Sequence, residues 1–165
     1  MKQAAILLAA VVLIGCARGD APRRTAIQAL ERPFSGSGTL VWREQRYDAA
    51  LTRSGDSLSV TLRSEDLIEP VTVSSSGGAR ELSQGKLSLR LPRSAAPAAG
   101  LPESLLRALE RLAVCPLPEA KQGALRVQDG DCAAVLDPQT LAIKALEMGE
   151  NSVRFSSFCY RGPNG

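Results

Sequence analysis

Hydrophobic residues recur at every second position through much of the first half of the chain, and this spacing predicts half-buried β-strands. Turn-forming residues at Ser54-Gly55-Asp56, Gly77-Gly78 and Gln84-Gly85 separate the alternating runs. The pattern therefore predicts successive antiparallel strands joined by hairpins. The apolar members of these runs are Leu40, Trp42, Tyr47, Ala49, Leu51, Leu58, Val60, Leu62, Val71, Val73, Leu82, Leu87, Leu89 and Leu91.

In the segment "LPESLLRALERLAV" the apolar spacing changes to steps of four and three, which predicts an amphipathic helix that ends before Pro116. Arg107, Glu110 and Arg111 lie largely off the apolar face, so the leucines are expected to pack on a sheet. A shorter helix is predicted from Thr25 to Arg32. The apolar face of the longer helix consists of Leu101, Leu105, Leu106, Ala108, Leu109 and Leu112.

Strand patterns resume after this helix. Asp129-Gly130 lies between two apolar runs and predicts a two-residue hairpin loop, which would place Val127 opposite Cys132. Residues 137–140 predict a turn with proline at its second position. Four to six strands, a helix and four more strands, all with short connections, predict an α+β fold built on an antiparallel sheet.

The chain begins with Lys2 and an apolar stretch over residues 4–14. A helix needs about 20 residues to span a bilayer, so this stretch fits the hydrophobic region of a secretory signal instead. It ends in Leu-Ile-Gly-Cys at Cys16, which resembles the lipobox of bacterial lipoproteins. The resemblance implies that Cys16 receives a diacylglyceryl group and becomes the N-terminus after cleavage behind Gly15. An ordinary signal peptidase site, with small residues at −3 and −1, fits Leu13 poorly.

We therefore assign residues 1–15 to a lipoprotein signal peptide, 16–24 to a tether and 25–161 to one folded domain. Two acyl chains anchor a protein stably without a transmembrane helix. The expected location is the extracytoplasmic face of a cell membrane, with acylated Cys16 as the anchor.

Composition excludes several classes of function. The chain contains no histidine, which excludes Ser-His-Asp and Cys-His catalysis and His-containing zinc sites. Its net charge is only +3, and it has one Trp, two Tyr and three Phe, so a nucleic-acid partner is not expected. We expect no catalytic residue, no metal and no cofactor, and therefore not an enzyme. The expected partners are the membrane and a lipid or acylated cargo.

Three cysteines remain besides Cys16, namely Cys115, Cys132 and Cys159. An extracytoplasmic protein can form a disulfide, and any of the three pairings is possible. Spacing favours Cys115–Cys132, because a short closed loop of this kind is worth about 3 kcal/mol in the chain-entropy model. Three free thiols are the alternative.

The order of lipobox, tether, short helix, β-hairpins, Pro-rich loop, helix and final meander resembles the outer-membrane lipoprotein carrier (LolA-like) superfamily and the LppX-type lipid-carrying lipoproteins. The stretches that carry the resemblance are "FSGSGTLVWREQRYDAAL", "SLSVTLRSEDLIEPVTV" and "CAAVLDPQTLAIKALEMGENSVRFSSF". It implies a strongly curved antiparallel half-barrel packed against one main helix and a short N-terminal helix. Lipid or acylated cargo would lie between sheet and helices.

Two functions follow as hypotheses. In the first, inward-facing side chains line an apolar cavity that binds a hydrophobic ligand. In the second, the same side chains fill a dry core, and the domain is a structural or sensory envelope module that acts by protein–protein contact. The candidate lining residues are Trp42, Leu51, Val60, Leu62, Leu105 and Leu109.

Overall fold

The computed structural model of the chain describes residues 26–91, 100–115, 118–121 and 123–162. The predicted signal peptide and tether, including Cys16, lie outside these ranges. A first helix, α1, is described over residues 26–29, and a second, α2, covers Leu101–Ala113. The strands are β1 (Phe34–Trp42), β2 (Gln45–Ser54), β3 (Ser57–Arg63), β4 (Val71–Ser76), β5 (Ala79–Gln84), β6 (Leu87–Leu91), β7 (Glu119–Lys121), β8 (Ala124–Asp129), β9 (Cys132–Leu136), β10 (Ile143–Met148) and β11 (Asn151–Tyr160).

All of these strands belong to one 11-stranded antiparallel sheet with the order β6-β5-β4-β3-β2-β1-β11-β10-β9-β8-β7. The chain runs outward from β1 to β6 through hairpins, and α2 then connects β6 to β7 at the other end of the sheet. From β7 the chain runs inward until β11 pairs with β1. The predicted α+β class is confirmed at this level. Five strands follow the helix instead of four, because residues 119–121 form a short edge strand.

One face of the sheet, called the inner face here, packs against α2. Helix α2 lies against β3 and β4 in the first half of the sheet and against β8 and β9 in the second half. Its predicted leucine face is confirmed, since Leu101, Leu105, Leu106, Ala108, Leu109 and Leu112 are all buried. Leu30 after α1 joins the same core. Hydrophobic burial of this kind is the main stabilising contribution to the fold.

A β-bulge joins the two halves of the sheet between β1 and β11. Ser37 pairs with Ser157 and Gly38 with Phe155, so Ser156 is the extra residue. Before the bulge the inward-facing residues of β11 are Val153 and Phe155, and after it they are Phe158 and Tyr160. The extra residue therefore explains the Val-x-Phe-x-x-Phe spacing. Phe34, Phe155, Phe158 and Tyr160 then pack edge-on or tilted, with ring centroids 5.0–6.1 Å apart.

The predicted register of the β8–β9 hairpin is wrong by two residues. Cys132 pairs with Asp129, and Val127 pairs with Ala134. Gly130 adopts a φ of 58° and occupies the first position of the turn, so Gly130-Asp131 forms the loop. Asp129 remains in the ladder, where its carboxylate accepts a hydrogen bond from Arg111.

The predicted turn at residues 137–140 is confirmed, and Asp137 organises it. The Asp137 carboxylate accepts hydrogen bonds from the backbone N–H groups of Gln139 and Thr140, both at 3.0 Å. These bonds, with Thr140 making the larger contribution, lower the pKa of Asp137 to about 2. The turn is therefore held together by an ionised carboxylate.

Replacing Asp137 by alanine is expected to lower the melting temperature at neutral pH, because the turn loses this acceptor. A depressed carboxyl pKa contributes stability above the unfolded-state pKa of about 3.9, and the contribution disappears as pH falls through the folded-state pKa. The difference in melting temperature between wild type and Asp137→Ala should be constant above about pH 5 and shrink towards pH 2. Calorimetry across this range measures it, and a difference that is undiminished at pH 2 contradicts the assignment.

Candidate functional site

The inner face changes from buried to exposed on going from the centre of the sheet to β6. In one cross-strand row Leu51, Val60, Val73, Leu82 and Leu89 are successive partners. Leu51 and Val60 are at most 1% exposed, whereas Leu89 is 55% exposed. The neighbouring row runs from Leu62 through Val71 and the polar Gln84 to Leu87, which is 77% exposed and lies beside Leu89 on β6. The apolar surface of the core therefore continues into solvent at β6.

We call this partly exposed part of the inner face the apolar margin. Three of its residues, Leu82, Leu87 and Leu89, lie on β5 and β6, beyond the strands β3 and β4 that carry the principal packing of α2 on the first half of the sheet. An exposed leucine is unremarkable by itself, but a contiguous apolar surface that continues from the core is typical of an interaction site. The apolar margin consists of Leu62, Val71, Leu82, Leu87 and Leu89.

The residues predicted to line a cavity divide into two groups. Leu51, Val60, Leu105 and Leu109 are 0–1% exposed and belong to one core cluster, so they pack against one another. Trp42 and Leu62 are partly buried and pack against the edge of that cluster. The inner members of the predicted site thus fill the core, while Leu62 forms part of the apolar margin.

Charged side chains surround the N-terminal end of α2. Arg80 on β5 forms a largely buried ion pair with Glu103 on α2, and both line a groove of about 620 Å³ together with Asp56, Arg107 and Glu110. The nearby Arg53 is buried on β2 and donates hydrogen bonds to the backbone oxygens of Leu30 and Gly55. Burial lowers the pKa of the Arg53 guanidinium.

Cys115 and Cys132 lie near the C-terminal end of α2, where Arg111 contacts Cys132. The Cys115 thiol donates to the backbone oxygen of Gln128 at 2.9 Å, and a guanidinium N–H of Arg111 donates to Cys132 Sγ at 3.5 Å. Both cysteines, like the exposed Cys159, are free thiols in the structure. Burial raises the pKa of Cys115 and of Cys132, which lowers the ionised fraction of both thiols at neutral pH. The Cys115–Cys132 disulfide stays a prediction.

The opposite, outer face of the sheet carries a feature that the sequence analysis missed. One cross-strand row spans seven strands, and all but one of its residues bear a hydroxyl group. An alternating pattern places such residues only on a solvated face, and the row becomes visible only when the registers of all its strand pairs are known. We call it the hydroxyl row, and its members in order are Ser157, Ser37, Ala50, Thr61, Thr72, Ser83 and Ser88.

Two adjoining grooves open where the row contains Ala50 instead of a hydroxyl residue. The larger, of about 540 Å³, is lined by Ser37, Thr39, Thr61 and Arg63 among others. The smaller, of about 310 Å³, shares Ser37 and Ala50 with it and extends towards Cys159. The two grooves therefore adjoin each other on the outer face.

None of the helices in the described part of the chain combines the length and apolar character that a membrane crossing requires. No protein-family model matches this chain, and no curated protein matches its sequence.

Proposed function

We propose that this protein is a lipid-anchored lipoprotein on the extracytoplasmic face of a membrane, with a LolA-like domain that binds a hydrophobic ligand. The observation that carries the ligand-binding part is the apolar margin, where a continuous surface of the inner face reaches solvent at Leu87 and Leu89. An acyl chain or an apolar segment of an acylated protein would bury this surface.

The proposal includes a strongly curved sheet. Helix α2 has 13 residues and is therefore about 20 Å long, yet it packs on both β4 and β8. Seven inter-strand steps separate these strands in the sheet order, which is about 34 Å along a flat sheet. Bending of the sheet towards the helix would bring β4 and β8 within reach of it.

In this proposal the ligand lies on the apolar margin beside the helix, because the deep inner residues already occupy the interior. Trp42 and Tyr47 are partly buried at the edge of the core. A ligand in this position leaves the packing around Leu105 and Leu109 undisturbed, so binding requires no opening of the core.

The second candidate function, a structural or sensory module acting by protein contact, is favoured by the packed core. It predicts that the apolar margin contacts a protein and retains no lipid. The two candidate functions differ in whether the isolated protein retains lipid and binds a hydrophobic ligand.

The test uses native mass spectrometry of the full chain after gentle extraction, followed by titration with a fluorescent fatty acid. Burial of a leucine side chain contributes about 1.5–3 kcal/mol, so Leu87→Ser combined with Leu89→Ser should weaken binding at least about tenfold. Retained lipid and this loss of affinity support the proposal.

Ile68→Ser is the matched control, since Ile68 is 99% exposed in the β3–β4 connection and lies outside the apolar margin. It should leave the fatty-acid affinity unchanged. A protein that retains no lipid and does not bind the fatty acid would rule out the carrier function, and the module acting by protein contact would replace it.

A further inference from the structure

The outer face offers a second binding surface, separate from the apolar margin. Hydroxyl side chains of the hydroxyl row bond to each other at two points: Ser37 Oγ lies 2.8 Å from Ser157 Oγ, and Thr61 Oγ1 lies 2.9 Å from Thr72 Oγ1. A hydroxyl group has one donor and two acceptor sites, so each of them keeps capacity for a further partner. The row therefore presents regularly spaced donors and acceptors, about 4.8 Å apart from strand to strand.

Arginines accumulate along one side of this row. Arg63 lies opposite Asp48 on the neighbouring strand, Arg154 lies opposite Thr39, and Arg46 is two residues from Asp48 on the same face. All three arginines are exposed, and among the described residues none of them forms an ion pair. Arg63 lines the larger groove together with Asp48, and Arg46 and Arg154 lie beside it, so on the strands themselves three cations surround one carboxylate, which favours an anionic partner.

The strands beneath the grooves are internal strands of the sheet. The backbone groups of β1, β2 and β3 are engaged in ladders on both sides, so no edge is available here for the addition of a peptide strand. Recognition at this face must come from side chains. Those side chains supply hydroxyl groups for polar pairing and guanidinium groups, which bind carboxylates strongly.

We propose that the outer-face grooves bind an acidic glycan, with sugar hydroxyls paired to the hydroxyl row and a sugar carboxylate bound to Arg63. Ala50 provides the depression in which a sugar ring fits. A neutral glycan lacks the anionic group, and an acidic peptide lacks the hydroxyls that the row would pair with. This surface lies on the opposite side of the sheet from the apolar margin, so the two sites are independent.

Isothermal titration of the full chain in detergent with three probes tests the proposal: hexameric oligogalacturonate, maltohexaose as the neutral sugar, and poly-glutamate as the acid without hydroxyls. Only oligogalacturonate should bind measurably. Arg63→Gln removes a charge-assisted contact and should weaken binding about tenfold. Ala50→Leu, which fills the depression, should weaken it at least as much.

Ala79→Leu is the matched control, because Ala79 is an exposed outer-face alanine on β5 outside the grooves. It should leave oligogalacturonate binding unchanged, and fatty-acid binding should remain intact in all three variants.

Absence of oligogalacturonate binding overturns the proposal, as does equal binding of maltohexaose. Equal binding of poly-glutamate overturns it too and points to an acidic protein partner. Retention of full affinity in Arg63→Gln, an exposed substitution that should not affect folding, excludes these grooves as the site.

Discussion

Replacing Gly38 by alanine should destabilise the protein by at least about 3 kcal/mol. A Cβ atom at this position would overlap the carbonyl oxygen of Arg154 and lie 2.8 Å from the Cα atom of Phe155. These are backbone atoms of β11, so no side-chain rotation can relieve the clash, and β1 must separate from β11. Because this pair joins the two halves of the sheet, the cost affects the whole fold. Urea denaturation measures it as the change in the free energy of unfolding.

Two other glycines provide graded controls for this prediction. A Cβ atom at Gly36 would lie 2.7 Å from the Phe155 ring, which can shift, and 2.9 Å from the backbone oxygen of Ser157, a milder backbone overlap than at Gly38, so Gly36→Ala should have an intermediate effect. Gly100 precedes α2 with a φ of −79° and has open space around it, so Gly100→Ala should change stability by less than about 1 kcal/mol. A Gly38→Ala protein as stable as Gly100→Ala would contradict the close approach of β1 and β11.

The local elements of this fold could be predicted because their signals are local. The leucine spacing of α2 identifies both its extent and its buried face. Gly55, Gly85 and Gly149 lie in hairpin turns with φ between 55° and 61°, a conformation that glycine adopts at no steric cost. Sequence alone therefore indicates the helix, most strands and several of their connections.

Other features were not predictable because they depend on partners far along the chain. Arg43 and Glu44 form the β1–β2 turn with positive φ values of 51° and 68°, and neither residue type signals such a turn. The backbone N–H of Arg43 donates to the side-chain oxygen of Asn151 at 2.8 Å, which is a contact between the two ends of the domain. The bulge at Ser156 likewise appears only once β11 lies beside β1.

The same limit applies to the candidate sites. Period-two alternation identifies Leu51 and Leu87 equally well as inward-facing residues. Leu51 is nevertheless buried in the core on the internal strand β2, whereas Leu87 is exposed on the edge strand β6, and this difference depends on the strand order and on the packing of the helices. Predicting the hydroxyl row requires the correct register of six strand pairs. A misassigned turn shifts the register of the two strands that it joins.

Replacing Cys16 by serine should release the protein from the membrane into the soluble fraction and leave its folded domain intact. Serine has no thiol to accept a diacylglyceryl group, and each buried CH₂ of an acyl chain contributes about 0.8 kcal/mol to membrane binding. Loss of both chains therefore removes nearly all of the proposed attachment. Fractionation of cells followed by immunoblotting measures the distribution, and intact-mass analysis measures the lipid.

Cys159→Ser is the matched control, because Cys159 is an exposed thiol within the folded domain, 3.1 Å from Ser35 Oγ. That variant should remain in the membrane fraction with its lipid mass unchanged. The circular dichroism spectra of both variants should match wild type, since Cys16 lies outside the described fold. If Cys16→Ser stays as firmly attached as Cys159→Ser, the anchor is not an acylated cysteine, and the attachment has to come from the domain itself.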